Sequence, residues 1–358
     1  MEGGRIMKIL YYGPITPKGN ASIGGYEAAN RKNIDALRER HVDVVEFRNP
    51  TINKKYGRLA KLAYVKLFFT PLALFKYIGC KDVVVHTTPL YGNVLGLPSN
   101  LLLILAKMLH IPSVADIRAG SFFHYWNHKG CFTRWSLKHL LTDASYVTVE
   151  GSDYIKPMRA LIGMEKPIAY FPNLADCRNL TYKERTNDVI NLFYFGRITK
   201  NKGIGILSET IQLLDDRFRL YLAGGIASDV DKDDLLSNDR ITYLGVLKPA
   251  ELRKEMQRMH IFVFPTSHVG EGQSNSLIEA MSEGLIPVTS DQGFCAEVVG
   301  NCGSVLPHGS KAKDYCQVIE AIAAGDMKSM AQRCQAHIKA CHNIDKEIPK
   351  IIKIYCSL

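Results

Sequence analysis

Ten short apolar runs punctuate the chain, and polar or amphipathic stretches separate them. MKILYY, VDVVEF, DVVVH, PSVADI and YVTVE fall in the first half. NLFYFG, LYLAG, ITYLG, IFVFP and IPVTS fall in the second. Each run is rich in the β-branched and aromatic residues that suit a pleated surface, and each is short enough to be a buried strand. Strands that alternate with helical stretches predict parallel sheets covered by helices on both faces. The alternation breaks once, where Pro172, Asn173 and a charged polar stretch separate two strand runs, and this places a domain boundary near residues 173–188. The expected organisation is a first domain over residues 1–175, a second over 186–342, and a terminal helix over 343–358 that packs back on the first domain. No repeat of fixed period and no low-complexity segment interrupts this order.

In open parallel sheets, ligands bind beyond the carboxyl ends of the strands, so the strand-to-helix turns carry the candidate chemistry. The first turn, PITPKGNASIGG, ends in Gly24 and Gly25 at the start of a helix, where free backbone N–H groups favour an anion. It is neither a G-x-G-x-x-G sequence nor a Walker sequence, and the same glycines also suit a plain tight turn. The second turn, YFGRITKNKGIGIL, leaves its strand at Gly196 and carries Arg197 and Lys202. An arginine fork and a lysine point charge at the mouth of a sheet suit a diphosphate, although either could also be a solvated loop charge. The third, EGQSNSLIEAMSEG, puts Glu271 in a loop and Glu279 in the early turns of a helix that starts near Ser274 to Ser276. A carboxylate, several backbone amides and two cations thus gather at one expected sheet edge.

Composition narrows the setting. A chain of 358 residues, 46% hydrophobic with a mean hydropathy of −0.06, has ample material for two soluble cores. The net charge of +10 suits nucleic acid, anionic lipid or a phosphorylated substrate without choosing among them. Nine cysteines, with no C-x-x-C pair, argue against a disulfide framework or a zinc site and fit a reducing cytosol. The N-terminus lacks the apolar core and cleavage site of a signal peptide, and no apolar run spans a bilayer.

The second-half motifs, FGRITKNKGI, LAGG, YLGVL and EGQSNSLIEAMSEGLIPVTSDQGFCAEVV, resemble in order and spacing the nucleotide-sugar domain of family 4 retaining glycosyltransferases. The first half resembles that family mainly through its first strand and IGGYE. The resemblance implies an α/β architecture of GT-B type, two Rossmann-like doubly wound parallel-sheet domains facing a cleft. The first would be the acceptor domain and the second the nucleotide-sugar domain. It also implies roles. Arg197 and Lys202 would hold the donor diphosphate, with Gly196 at the strand end. Glu279 would bind the ribose and Glu271 the transferred sugar, while amides around Ser274, Asn275, Ser276 and Leu277 would meet the phosphates. The donor would be a UDP- or GDP-linked sugar, with no metal and no separate cofactor. Where the family often carries a His, this chain has Arg118, two residues after Asp116; both are candidate catalytic groups, His124 and His86 are further candidates, and a core ion pair is the plain alternative for Asp116 and Arg118. A D-x-D triplet in SDVDKDD, residues 228–234, reads as a solvated loop.

One segment stands apart. In NKKYGRLAKLAYVKLFFTPLALFKYIG, helical spacing gathers Lys54, Lys55, Arg58, Lys61, Lys66 and Lys76 in one sector, with apolar residues elsewhere and Pro71 as a break. A basic amphipathic segment with aromatic residues suits an anionic membrane surface, and the basic apolar terminus IIKIYCSL points the same way. The expected protein is a peripheral enzyme at the cytoplasmic face of the membrane that extends a lipid-linked saccharide during surface polysaccharide assembly. A sugar-nucleotide epimerase or hydrolase of GT-B fold is the alternative, and a basic nucleic-acid-binding protein a more distant one.

Overall fold

The computed structural model describes residues 7–18, 25–48, 65–91, 96–178, 180–186 and 188–358. The chain forms two compact units, Met1–Leu174 with Ile344–Leu358, and Ala175–Asn343.

The first unit is built on six parallel strands in the order β2-β1-β3-β4-β5-β6. They are β1 (Lys8–Gly13), β2 (Asp43–Arg48), β3 (Val83–Thr87), β4 (Ser113–Ile117), β5 (Tyr146–Val149) and β6 (Ile168–Tyr170). Strand alternation sorts β1 between two cores. Ile9 and Tyr11 pack with Ile34 and Ile348 on one face, while Leu10 and Tyr12 pack with Leu67, Leu74, Leu102 and Ala106 on the other. The terminal helix, Ile344–Cys356, belongs to the first of these faces, where it buries Ile344, Ile348, Ile351 and Tyr355. Its apolar stripe is therefore core, which corrects the expectation that IIKIYCSL serves a membrane. Opposite charges fasten its first turn, where Arg40 Nη2 lies 2.5 Å from Asp345 Oδ1.

The second unit has six parallel strands in the order β12-β11-β10-β7-β8-β9. They are β7 (Ile190–Phe195), β8 (Phe218–Ala223), β9 (Ile241–Tyr243), β10 (Ile261–Phe264), β11 (Ile286–Ser290) and β12 (Ser304–Leu306). Read from β7, this is the doubly wound order in which the chain reverses direction between the first and fourth strands, here β7 and β10, which pair through Ile261↔Leu192 and Phe262↔Phe193. Phe193, Phe195, Phe262 and Phe264 are all buried along this central pair. Each such ring contributes about 1.5–3 kcal/mol by burial, which anchors the two halves of the sheet to each other.

The ten strands expected from the apolar runs are present, together with β6 and β12. The segment expected as one broken helix over residues 53–79 is described from Val65, and it ends in the 3-10 helix Thr70–Tyr77, with Pro71 in its first turn. Lys54, Lys55, Arg58 and Lys61 lie outside the described residues. Among the described residues, no helix is long and apolar enough to cross a membrane.

Candidate active site

The reversal between β7 and β10 directs two loops to one sheet edge. After β7, the chain passes Gly196 and Arg197, makes the short turn Lys200–Lys202, and enters the helix Ile204–Leu213 through Gly203. Gly203 has φ of +79°, and a Cβ there would stand 2.1 Å from the Pro265 carbonyl oxygen. Only glycine lets the loop that carries Lys202 press against the end of β10. Tyr194 donates its hydroxyl to the Arg197 carbonyl at 2.7 Å and pins the loop from below.

After β10, Thr266 and Glu271 face that loop. Glu271 is buried, Thr266 donates to its Oε2 at 3.0 Å, and Lys202 Nζ forms an ion pair with the same oxygen. The Lys202 ammonium also sits over the Phe264 ring, 5.3 Å from its centroid. Ser267 N donates to the Asn201 carbonyl at 2.9 Å, and Asn201 Nδ2 lies 3.1 Å from His268 Nδ1, so the two loops are stitched together. Burial and the Lys202 ammonium lower the His268 pKa. Gly293, with φ of +62°, lies under the Glu271 carbonyl, where a Cβ would come within 2.1 Å.

The helix Asn275–Ser282 starts beside Glu271. Ser274 is its N-cap: the side chain accepts from Leu277 N at 3.4 Å and lies 2.9 Å from Ser276 Oγ. The first-turn N–H groups and the positive end of the helix dipole thus share the edge with Lys202. Leu277 is buried on the core side, and Glu279 is half-buried in the middle of the helix. Arg197 is exposed, and among the described residues its guanidinium has no hydrogen bond or ion pair. This edge therefore holds one uncommitted cation, one cation shared with a buried carboxylate, and a helix N-terminus, which is chemistry suited to an anion next to a polyol.

The acidic run does something else. Asp231 caps the helix Lys232–Leu235 by accepting from Asp233 N and Asp234 N, and Asp229 Oδ2 accepts from Lys200 N at 3.0 Å. Two of its carboxylates are spent on local backbone, and one of them braces the Lys202 loop.

The remaining candidates fall in the first unit. Gly24 lies outside the described residues, and Gly25 opens the helix Gly25–Glu39. Asp116 and Arg118 are both buried and pair at 2.5 Å between Arg118 Nε and Asp116 Oδ2. Thr148 donates to Asp116 Oδ1 at 2.8 Å, and Arg118 Nη1 donates to Asn173 Oδ1 at 2.5 Å, with its guanidinium over Phe171. Burial alone would raise the Asp116 carboxyl, yet the Arg118 charge and His86 outweigh it and hold the group below the usual carboxylate range. His86 does not face outward as its strand-end position suggested. It is buried, stacked on Tyr11 at 4.3 Å, hydrogen-bonded through Nδ1 to the Tyr355 hydroxyl at 2.8 Å, and 3.3 Å from Asp116 Oδ2. His124 is exposed and stacks on His128 at 4.5 Å. Sequence reading missed Thr266, His268 and Asn201; the polar residues after the run IFVFP were the available signal for the first two.

Residues 190–324 match the family model for glycosyl transferases group 1. The match falls within the second unit. The matched stretch contains every element of the edge described above, from Arg197 to Glu279. A GDP-mannose:cellobiosyl-diphosphopolyprenol alpha-mannosyltransferase of Xanthomonas oryzae pv. oryzae is 28% identical over 238 residues, covering 62% of this chain and 61% of that protein's length. Among solved structures, sucrose-phosphate synthase from Thermosynechococcus elongatus superposes with a TM-score of 0.74 at 15% identity over 98% of both chains. Anabaena HepE in complex with UDP gives a TM-score of 0.73 at 16% identity, over 98% of this chain and 100% of its own. The two parallel-sheet units thus have the GT-B fold.

Proposed function

We propose that the protein is a retaining, metal-independent glycosyltransferase of the family 4 kind. It moves a hexose from a UDP- or GDP-linked donor to a hydroxyl of a saccharide acceptor, itself lipid-linked, in surface polysaccharide assembly. The observation that carries this reading is the juxtaposition at the β7/β10 edge: Arg197 uncommitted, Lys202 paired with Glu271, and the Ser274-capped helix beside them. Arg197, Lys202 and the amides from Ser274 to Leu277 would bind the diphosphate. Glu279 would take the ribose hydroxyls and Glu271 the sugar hydroxyls. Departure of a nucleoside diphosphate builds negative charge on oxygen, and fixed cations with N–H dipoles stabilise that charge more than the ground state. The bond from the anomeric carbon to phosphate breaks, a bond to the acceptor oxygen forms on the same face, and the leaving phosphate oxygen takes the acceptor proton.

The Lys202–Glu271 pair fits such a cycle. Without donor, each group neutralises the other; with donor, the ammonium turns to phosphate and the carboxylate to sugar. Support for the donor comes from a neighbour of the same fold solved with UDP, and support for the acceptor from the Xanthomonas relative, whose name includes a diphosphopolyprenol. The enzyme works at the cytoplasmic face of a membrane as a peripheral protein. The test is mass-spectrometric detection of sugar transfer across a panel of UDP- and GDP-sugars with lipid-linked saccharides. Transfer with retained anomeric configuration, undiminished by a chelator, is expected; release of free sugar alone, with no acceptor product, would replace the reading with donor hydrolysis.

A further inference from the structure

We infer that the helix Cys131–Asp143 carries a second membrane anchor, coplanar with the segment Val65–Ile78, so that one whole helical layer of the first unit docks on an anionic lipid surface.

The argument starts from what is exposed. Among the described residues, fourteen large hydrophobic side chains are exposed, and six of them are Phe69, Leu72, Phe75, Ile78, Phe132 and Trp135. These six come from two stretches far apart in sequence but in one layer. Leu67 and Leu74 of the first stretch pack with Leu102 and Ala106 of the helix Leu97–Met108 against the Leu10 and Tyr12 face of the sheet. The helix Cys131–Asp143 docks on the same central helix through buried polar contacts: Asn100 Nδ2 donates to the Ser136 carbonyl at 2.8 Å, and Ser136 Oγ lies 2.5 Å from Asn100 Oδ1. Lys107 Nζ pairs with Asp143 Oδ1 at 2.8 Å one helical span further on, so the two helices run parallel. The buried residues of the helix, Thr133, Ser136, Leu137, Leu140 and Leu141, leave Phe132 and Trp135 on the opposite side. Their rings stack at 6.1 Å with 21° between planes, and His139 extends the ridge at 4.5 Å from Trp135.

Charge names the occupant. Residues 65–81 contain no acidic residue, and neither do residues 118–142. Exposed cations flank the apolar groups: Lys66, Lys76 and Lys81 around the first stretch, and Lys129, Arg134 and Lys138 around the second. Two copies of such a face would oppose like charges, whereas an anionic bilayer accepts the rings in its headgroup layer and the cations among its phosphates. Trp, Phe and Leu on the apolar side of a basic helix are the residues that enter a headgroup layer, and grouped exposed apolar side chains rimmed by polar ones mark an interaction surface. Phe132 and Trp135 sit in the first turns of a helix that follows β4, and so at the carboxyl edge of the sheet. That edge would be held at the lipid, as an enzyme with a lipid-linked acceptor requires. The proposal rests on the transferase reading for this purpose, but not for the binding itself.

The experiment is co-sedimentation with vesicles of phosphatidylcholine mixed with phosphatidylglycerol, and with phosphatidylcholine alone. Wild type should bind the mixed vesicles more tightly and release at high salt. The pair Phe132→Ser with Trp135→Ser should weaken binding at least about tenfold, as should Phe69→Ser with Phe75→Ser, with unchanged thermal unfolding. In a Trp126→Phe background, Trp135 emission should shift to the blue on adding mixed vesicles. Wild-type binding by the Phe132→Ser/Trp135→Ser variant would overturn the inference, as would equal affinity for neutral vesicles. Concentration-dependent self-association of wild type that this variant abolishes would assign the ridge to a second copy instead. Nucleoside diphosphate binding, measured in parallel, separates the readings: the ridge variant should retain it, and its absence in wild type would fail the donor site without touching the ridge.

Discussion

The carboxyl edges of the two sheets carry similar residue types and use them in opposite ways. In the second unit, Arg197 is exposed and without a hydrogen bond or ion pair among the described residues, Lys202 shares one carboxylate, and the Ser274-capped helix starts beside them. In the first unit, Arg118 and Asp116 are sealed among Thr148, Asn173, His86 and Phe171, with Tyr355 closing the cluster from the terminal helix. A buried charge pair is stable only when its remaining hydrogen-bond capacity is met, and here most of it is. The contrast teaches that residue identity alone does not mark a site: availability does. The first cluster spends its charges on one another and on buried neighbours, and the second leaves Arg197 without a hydrogen bond or ion pair among the described residues.

The largest effect that would sharpen this contrast is on turnover. Replacing Arg197 and Lys202 together by Ala should lower turnover about a thousandfold or more, since one lost oxyanion donor commonly costs about a hundredfold to a thousandfold. Arg197→Ala alone should shift stability by less than about 0.5 kcal/mol, because the side chain is exposed and its guanidinium makes no hydrogen bond or ion pair among the described residues. Denaturant unfolding beside a product assay checks both numbers. Next comes Arg118→Ala, expected to cost about 3–5 kcal/mol by leaving Asp116 as a buried unpaired charge. Unchanged unfolding with abolished turnover would break the comparison and move Arg118 into the substrate site. Tyr355→Phe should cost about 1–2 kcal/mol through the orphaned His86 nitrogen.

The mildest test uses acid. Burial raises the Glu46 carboxyl, but hydrogen bonds from Arg31, Arg48 and Arg38 outweigh it and bring the group from 4.5 down to about 2. The folded state therefore binds fewer protons than the unfolded chain in this range. The stabilisation is fully present above about pH 4.5 and is lost as pH falls toward 2. Unfolding midpoints measured down this range should decline in wild type, and less steeply in Glu46→Gln.

How much of this could be read from the chain follows from where the information sits. The ten strands with long apolar runs were legible, as were the alternation that makes them parallel and the helix start at Ser274. β6 and β12 span three residues each and show no periodicity to detect. The Lys202–Glu271 pairing bridges 69 positions and the Tyr355–His86 bond 269, and no local pattern encodes such contacts. Terminal IIKIYCSL read as a surface stripe because amphipathicity marks a helix's apolar face without saying what covers it. The burial of Asp116 and Arg118 and their bonds to Thr148 and Asn173 were not legible either, because spacing gives proximity and only packing gives burial.

The most direct measurement is a crystal structure with UDP or GDP bound. The account places the diphosphate against Arg197, Lys202 and the first amides of the helix Asn275–Ser282, with the Lys202–Glu271 pair opened and the ribose on Glu279. A nucleotide bound at another edge, or bound with Lys202 still paired to Glu271 and Arg197 turned to solvent, would contradict it.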